Sequence, residues 1–561
     1  MSLLHGWPGL LSAYATVQAP LIAALVRARA PLRQFLVSPL IAAPVTALAG
    51  IGISAALPAM RALGAAGGMA LEVSAGLAFS AALGYACGRV LARRGTPDRV
   101  HERGALVVDE PRVVVGERAR GRSVAAERGA LTLAGIRVGP EDEVKHFKLI
   151  GTTGTGKSTA IHELLGAALA RGDRAVIADP DGGYLRRFYD VRRGDVILNP
   201  FDARSARWDL FREIRDDHDV EQLARALIPD HEGTDRSWRG YARTFFSAVT
   251  SQAHAAGSRE VRELYRLLVV ARTAELKTLV AGTPAQPFLE EHNGRMFDSI
   301  RSVTSSAVGA LEYVARQRSA PLAVRDWVRA GATGDARGVL FLPYRAGQIA
   351  ALRSTISAWM RLAIFEAMNG GEGEQRLWFV VDELDALGQI DGLKDALARL
   401  RKFGGRCVLG FQSIAQVSST YGSGEAQTLV ENCGNTLVLR CSGSEHGGTS
   451  QFASRLIGER EVRRIHTSRS RRATEWLGSV TRSEQRGVES AVMGAQIEQL
   501  PDLAGYLKLA SRPEWRRVRL QPLGTQRSVG DRDPAGASVS ALTVQQMRDS
   551  ATQGADGHEF S

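Results

Sequence analysis

The 561-residue chain reads as an α/β protein in which a parallel sheet carries a phosphate-binding loop, an all-helical segment interrupts the sheet, and two membrane-crossing helices precede it. Three observations predict this class. A glycine-rich turn, "GTTGTGKST" from Gly151 to Thr159, lies between an apolar strand and an amphipathic helix. A second apolar run, "LWFVVDEL", ends in paired acids at Asp382 and Glu383. No charged residue occurs between Arg33 and Arg61.

The loop has the spacing of a nucleotide-binding turn: Gly151, four residues, then Gly156, Lys157 and Ser158. Glycines let the backbone N–H groups face phosphate oxygens, which makes Gly151, Thr152, Thr153, Gly154, Thr155, Gly156, Lys157, Ser158 and Thr159 the candidate ATP-binding residues. Lys157 supplies a point charge to the β/γ-phosphates and Ser158 a hydroxyl to Mg²⁺. The run "VKHFKLI" reads as the preceding strand. In "KSTAIHELLGAALARG" apolar residues recur at helical spacing up to a stop at Gly172, so the phosphates would rest on a helix N-terminus.

The five apolar residues of "LWFVVDEL" place its acids at the carboxyl end of a buried parallel strand, the edge where open α/β sheets bind ligands. Asp382 is the candidate for the Mg²⁺ shell and Glu383 for the base that orients and deprotonates the attacking water. Capping of the following helix, "GLKDALARLRK", accounts for one carboxylate and not two. The strand "RCVLGFQS" ends in Gln412, whose amide can hydrogen-bond a γ-phosphate.

A chain of this length exceeds one core, and a net charge of +12 with a pI near 9.9 favours a polyanionic or membrane-surface partner, although a genome-wide arginine bias gives the same sign. The four cysteines, Cys87, Cys407, Cys433 and Cys441, have no metal-ligand spacing and read as reduced core residues. No zinc finger, RRM or helix-turn-helix signature appears, so base readout is not expected.

At the amino end, "LVSPLIAAPVTALAGIGISAAL" is long enough to cross a ~30 Å hydrocarbon core. Met69 to Gly88 forms a second apolar run marred only by Glu72, giving expected spans at 36–57 and 69–88. In the second, Gly76, Ser80, Gly84 and Gly88 fall four apart, a stripe suited to close helix contact. Arg27, Arg29 and Arg33 precede the first span and Arg89, Arg93 and Arg94 follow the second, so the positive-inside rule puts both ends in the cytoplasm and the Pro58–Gly68 turn outside. The second span argues against a cleaved signal peptide.

From Arg99 to Gly139 short β-like runs ("ALVVDE", "RVVVG", "LTLAGIRVG") alternate with turns, and parallel strands are expected at "RAVIAD", "DVILN", "RGVLFLPY", "LWFVV", "RCVLGF" and "NTLVLRC". Between Ser205 and Ser319 strands vanish and helical periodicity takes over. The expected organisation is an anchor at 1–95, a nucleotide-binding domain in two parts at 96–204 and 320–524, an all-helical insertion at 205–319, and a Gly/Asp/Ser/Gln-rich tail at 525–561. Arg460 to Arg486, with eight Arg against three Glu, reads as a mobile loop able to contact a phosphate backbone without regard to sequence.

Two apolar spans, "GTTGTGKST", "VIADPDGGYLRRF", "ILNPFD", a helical insertion, "LWFVVDELDAL" with "LKDALARLRKFGGRCVLGFQS", then "EAQTLVEN" and "LPDLAGYL", together resemble the type IV coupling proteins of conjugation, the TraD/TrwB class. The resemblance runs from about residue 20 to about 520. It implies a RecA-like P-loop fold and a homo-hexameric ATPase on the bacterial inner membrane, with ATP and Mg²⁺ between subunits and a central channel for single-stranded DNA. It further implies a relaxase or relaxosome as cargo carrier and the type IV secretion channel as partner; export of protein effectors is the alternative within the family. Lys157, Ser158, Asp382, Glu383 and Gln412 fall on the family's nucleotide-site positions. Arg401, in "ARLRKFGG", falls where the family directs an arginine at a neighbour's phosphates, although a solvated helix face accounts for it equally. Lys145 stands where relatives carry an arginine, and a lysine cannot make the bidentate phosphate contact.

Overall fold

The computed structural model describes residues 7–522, apart from 29, 31, 63–67, 94–98, 110–130, 231–234, 333–336, 372–375, 445–446 and 471–478. The expected strand "RVVVG", residues 63–67 of the expected Pro58–Gly68 turn and the tail from Thr525 lie outside the described residues. The chain divides into two units, residues 1–103 with 460–489, and the remainder.

In the first unit, three apolar segments form helices α1 (Trp7–Arg27), α2 (Leu32–Ala62) and α3 (Gly68–Arg93). Within α2 and α3, Gln34–Ala55 and Glu72–Ala92 are long and apolar enough to cross a membrane, a few residues from the expected spans. Helix α1 was not anticipated, because the flanking arginines drew attention to the run after them; yet no charged residue lies between Trp7 and Val26. The small-residue stripe of α3 is its docking face. A Cβ at Gly84 would overlap the Val17 carbonyl of α1, one at Gly88 would stand 2.5 Å from the Leu21 carbonyl, and one at Gly76 would meet Ile53 of α2 at 3.4 Å. Close backbone approach of this kind substitutes for the hydrophobic driving force that helices lack in lipid. Gln18 of α1 adds a hydrogen bond to Ser38 of α2, 2.9 Å.

The arginine-rich stretch is not a loop. Glu459–Ser470 and Ser479–Ser490 are two twelve-residue strands that form a three-stranded sheet with Arg99–Gly104. Ion pairs from strand to strand explain why so charged a sequence pairs. Arg460 meets Glu489 at 3.0 Å, Arg463 meets Glu102 and Glu484 at 3.1 and 3.2 Å, Arg464 meets Glu489 at 2.5 Å, and Arg486 meets Glu102 at 3.4 Å. Among the described residues, Arg460, Arg463, Arg464 and Arg486 of this stretch are ion-paired within the sheet.

In the second unit ten strands make one sheet: β1 (Val107–Val108), β2 (Phe147–Ile150), β3 (Arg174–Pro180), β4 (Val196–Ile197), β5 (Val339–Tyr344), β6 (Leu377–Val381), β7 (Gly405–Phe411), β8 (Asn435–Val438), β9 (Ala504–Lys508) and β10 (Trp515–Arg519). Their order is β1-β10-β9-β8-β2-β7-β6-β3-β5-β4. The seven from β8 to β4 run parallel, as the near-continuous apolar runs predict for strands buried on both faces, while β9 joins β8 antiparallel. Ile150 pairs with Phe411 and Val381 with Leu409, so β2, β7 and β6 end at one edge within two residues of each other. Gly410 makes this possible. A Cβ there would overlap the Asp382 carbonyl, and the Gly410 carbonyl instead accepts from Leu384 N–H at 3.1 Å.

Helices α4 (Lys157–Ala170) and α5 (Gly183–Phe188) follow β2 and β3. Between β4 and β5 the described residues from Asp217 to Arg316 form helices joined by turns, with Arg236–Ala255 and Gly294–Val308 the longest segments. One strand interrupts the expected absence: Arg207–Trp208 pairs in parallel with Pro321–Leu322, tying entry to exit. Two residues carry no readable period, so this pairing was missed. Cys407, Cys433 and Cys441 are buried and free.

Replacing Gly410 by Ala should destabilise the protein by about 1–3 kcal/mol through forced overlap between β6 and β7. Gly183→Ala, where a Cβ meets nothing within 4 Å, serves as the control and should be near neutral. Thermal unfolding of both variants checks this.

Candidate nucleotide site

The loop, the acid pair and the amide sit at the carboxyl edge of the sheet because each follows a parallel strand: the loop after β2, the acids after β6, Gln412 after β7. They border one cleft of 180 Å³, lined by Thr153, Gly154 and Gly156 to Thr159 of the loop, by Asp382, Glu383 and Gln412, and by Leu503. Gly151, Thr152 and Thr155 turn toward the sheet instead. Gly151 N–H donates to Phe411 O at 3.1 Å, Thr152 N–H to Arg440 O at 2.9 Å, and the Thr155 hydroxyl to Thr152 O at 2.7 Å. Gly156 adopts φ +118°, a conformation that strains any residue with a Cβ, and the loop then enters α4.

The charged groups are held by neutral partners. Lys157 is buried and its ammonium donates to the carbonyls of Gly151 at 2.7 Å and Thr152 at 3.2 Å. Burial lowers its pKa, against the raising effect of Asp382 and Glu383. The Ser158 hydroxyl donates to Asp382 Oδ2 at 2.7 Å. Asp382 Oδ1 is buried and takes no hydrogen bond from the protein. A hard hydroxyl oxygen beside a carboxylate with one oxygen left over is a donor set that suits Mg²⁺. Glu383 accepts from the Gln412 amide, whose oxygen accepts from Thr153 at 3.2 Å. Burial first, then the charges of Asp382 and Asp385, raise the Glu383 pKa and make it a better proton acceptor. Asp382 caps no helix: the one that follows starts after Gly392.

Arg401 is not in this cleft. It is exposed at the turn entering β7, whose seven residues separate it from Gln412 by roughly 20 Å at about 3.3 Å per residue. Lys145, just before β2, stands at the same amino edge, 3.4 Å from Asp142.

Two contributors escaped the sequence. Tyr184, in α5, is buried and donates to Asp382 Oδ2 at 2.7 Å; burial, then the Asp382 charge, pushes its pKa well up and keeps it a donor. Leu503 holds φ +64°, and its N–H donates to Thr155 O at 2.9 Å. Neither carries a local signal, because each meets its partner across hundreds of residues of chain.

Residues 130–521 match the family defined as the type IV secretion-system coupling protein DNA-binding domain. The chain belongs to this family. It is 33% identical over 382 residues to the coupling protein TraD of Escherichia coli K12, covering 67% of this chain and 53% of TraD. It is 24% identical over 268 residues to the type IV secretion system-coupling protein VirD4 of Bartonella quintana, covering 43% of this chain and 41% of VirD4. The chain therefore spans about half the length of these relatives or less. Among solved structures it is similar to the plasmid coupling protein TrwB in complex with ADP and Mg²⁺ (31% identity, TM-score 0.62, 71% of this chain and 91% of that one). It is also similar to TrwB with the non-hydrolysable ATP analogue ADPNP (30% identity, TM-score 0.64, 76% and 95%). The fold is that of these coupling proteins: a mixed α/β sheet with a helical part, behind two apolar helices able to span a membrane.

On the expectation that Lys157 meets ground-state phosphates, Lys157→Ala should abolish hydrolysis and weaken ATP binding. Glu383→Gln should abolish hydrolysis while ATP stays bound. Equilibrium binding of a fluorescent ATP analogue beside steady-state turnover separates the two, and normal turnover by Glu383→Gln would remove it as the base.

Proposed function

We propose that this chain is an ATP-driven coupling protein of the bacterial inner membrane that recruits a DNA–relaxase substrate and pumps single-stranded DNA into a type IV secretion channel. The observation that carries the reading is the convergence of loop, acid pair and amide on one cleft in a chain that begins with membrane-length apolar helices. The nucleotide complexes of TrwB, itself named a conjugative coupling protein, and the coupling role named for TraD support it.

In this reading Lys157 leaves the Gly151 and Thr152 carbonyls for the β/γ-phosphates, and Ser158 with Asp382 holds Mg²⁺. The ion, when bound, neutralises charge building on the phosphates. Glu383 takes the proton of the attacking water. Gln412, bonded to both Glu383 and Thr153, ties the base to the position of the γ-phosphate. Arg401 is too far from its own cleft to act there and is assigned to the neighbouring subunit's phosphate in a homo-hexamer. Contact with DNA is through the phosphate backbone and independent of sequence; the ion-paired arginines of the three-stranded sheet are not assigned to it.

Steady-state hydrolysis tests both parts. Single-stranded DNA of any sequence should stimulate turnover, with the stimulation falling steeply as salt rises; a DNA-insensitive ATPase would favour export of protein effectors. Arg401→Ala and Lys157→Ala should each be inactive, an arginine of this kind being worth roughly 10³-fold or more. Their mixture should regain activity, since one protomer supplies the arginine and the other the loop. Confirmed mixed hexamers that stay inactive would contradict the assignment of Arg401.

A further inference from the structure

The two oxygens of the Asp382 carboxylate are treated unequally. Oδ2 receives two hydroxyl hydrogen bonds, from Ser158 and from Tyr184, each 2.7 Å, while the buried Oδ1 receives none. Ser158 can donate its proton to Oδ2 and still offer a lone pair to an ion, so its contact belongs to the loop's own role. Tyr184 has no place in that role. It is 2% exposed and comes from a different strand–helix junction.

That junction is itself fixed. The Asp179 carboxylate at the end of β3 accepts from the N–H groups of Tyr184 at 3.1 Å and Leu185 at 2.7 Å, which sets the start of α5. The ring of Tyr184 stacks on His162, centroids 4.6 Å apart and planes 25° from parallel. His162 lies one turn beyond Ser158 on α4, and its Nδ1 meets the Ser158 carbonyl. The phenol is thus held at its backbone by β3, at its ring by α4 and at its hydroxyl by the acid that ends β6.

The geometry points to Tyr184 as a positioning residue for the metal site: it occupies one oxygen of Asp382, fixes the plane of the carboxylate, and leaves Oδ1 as the oxygen presented to the ion. This rests on the proposed Mg²⁺–ATP reading and deepens it. Groups behind a metal ligand commonly change metal affinity by about 10–100-fold when removed. His162 acts one step further out, by holding the ring that holds the acid.

The test uses the full-length protein in detergent and titrates Mg²⁺ against a fixed concentration of fluorescent ATP analogue, reading the Mg²⁺ midpoint of binding. Tyr184→Phe deletes one hydroxyl and keeps the ring on His162. Its midpoint should rise about tenfold, with binding in EDTA and the unfolding temperature unchanged. His162→Ala, which keeps the hydroxyl but removes its prop, should shift the midpoint the same way by a smaller factor, and it carries the test if Tyr184→Phe does not fold. A wild-type midpoint in Tyr184→Phe, with or without a lower unfolding temperature, would overturn the inference while leaving the nucleotide reading intact. Wild-type binding indifferent to Mg²⁺ would overturn both.

Discussion

One carboxylate joins three strand tips. Asp382 ends β6, Ser158 begins the helix after β2, and Tyr184 lies in the helix after β3, and both hydroxyls reach the same Asp382 oxygen. These strands are not neighbours in the chain: β3 follows β2 by a single helix, but β6 arrives two hundred residues later, after the helical insertion. The interaction forms only if the strands come level at the carboxyl edge, which the register of β6 on β7 and of β7 on β2 ensures. Gly410 sits at the closest point of that arrangement, where backbone meets backbone with no room for a side chain. The chemistry of the site therefore depends on packing at strand ends as much as on the acids and the lysine.

The same edge separates the roles of charge. Lys157 and Glu383 lie in a partly buried cleft, where burial pulls the Lys157 pKa down and pushes the Glu383 pKa up. Arg401 and Lys145 stand at the opposite edge, a strand's length away. An arginine so placed cannot reach its own cleft, and the proposed role of Arg401 across an interface rests on that distance.

Much of this was legible in the sequence, for an identifiable reason. A loop with fixed spacing, an apolar strand ending in acids, and a strand ending in an amide are local patterns, and a parallel sheet brings all strand ends to one edge whatever their order. The small-residue stripe of α3 was legible too, because its four-residue period is a helix property, although its partner α1 was not. What failed was what local patterns do not encode. The arginine-rich stretch looked like a loop because its charges hid the strand character, and the glutamates that neutralise it include one from residue 102, far away in the chain. Tyr184 and Leu503 lie in "VIADPDGGYLRRF" and "LPDLAGYL", where nothing local marks either as a site residue. Both matter only through contacts made in three dimensions.

The measurement that tests this account most directly is calorimetric titration of ADP into wild-type and Asp382→Asn protein, each with Mg²⁺ and with EDTA. If Asp382 is the point where the strand tips meet a metal-bound nucleotide, the two proteins should bind ADP equally in EDTA, and only the wild type should gain affinity when Mg²⁺ is added. An Asp382→Asn protein that gains as much from Mg²⁺ as the wild type would contradict the account.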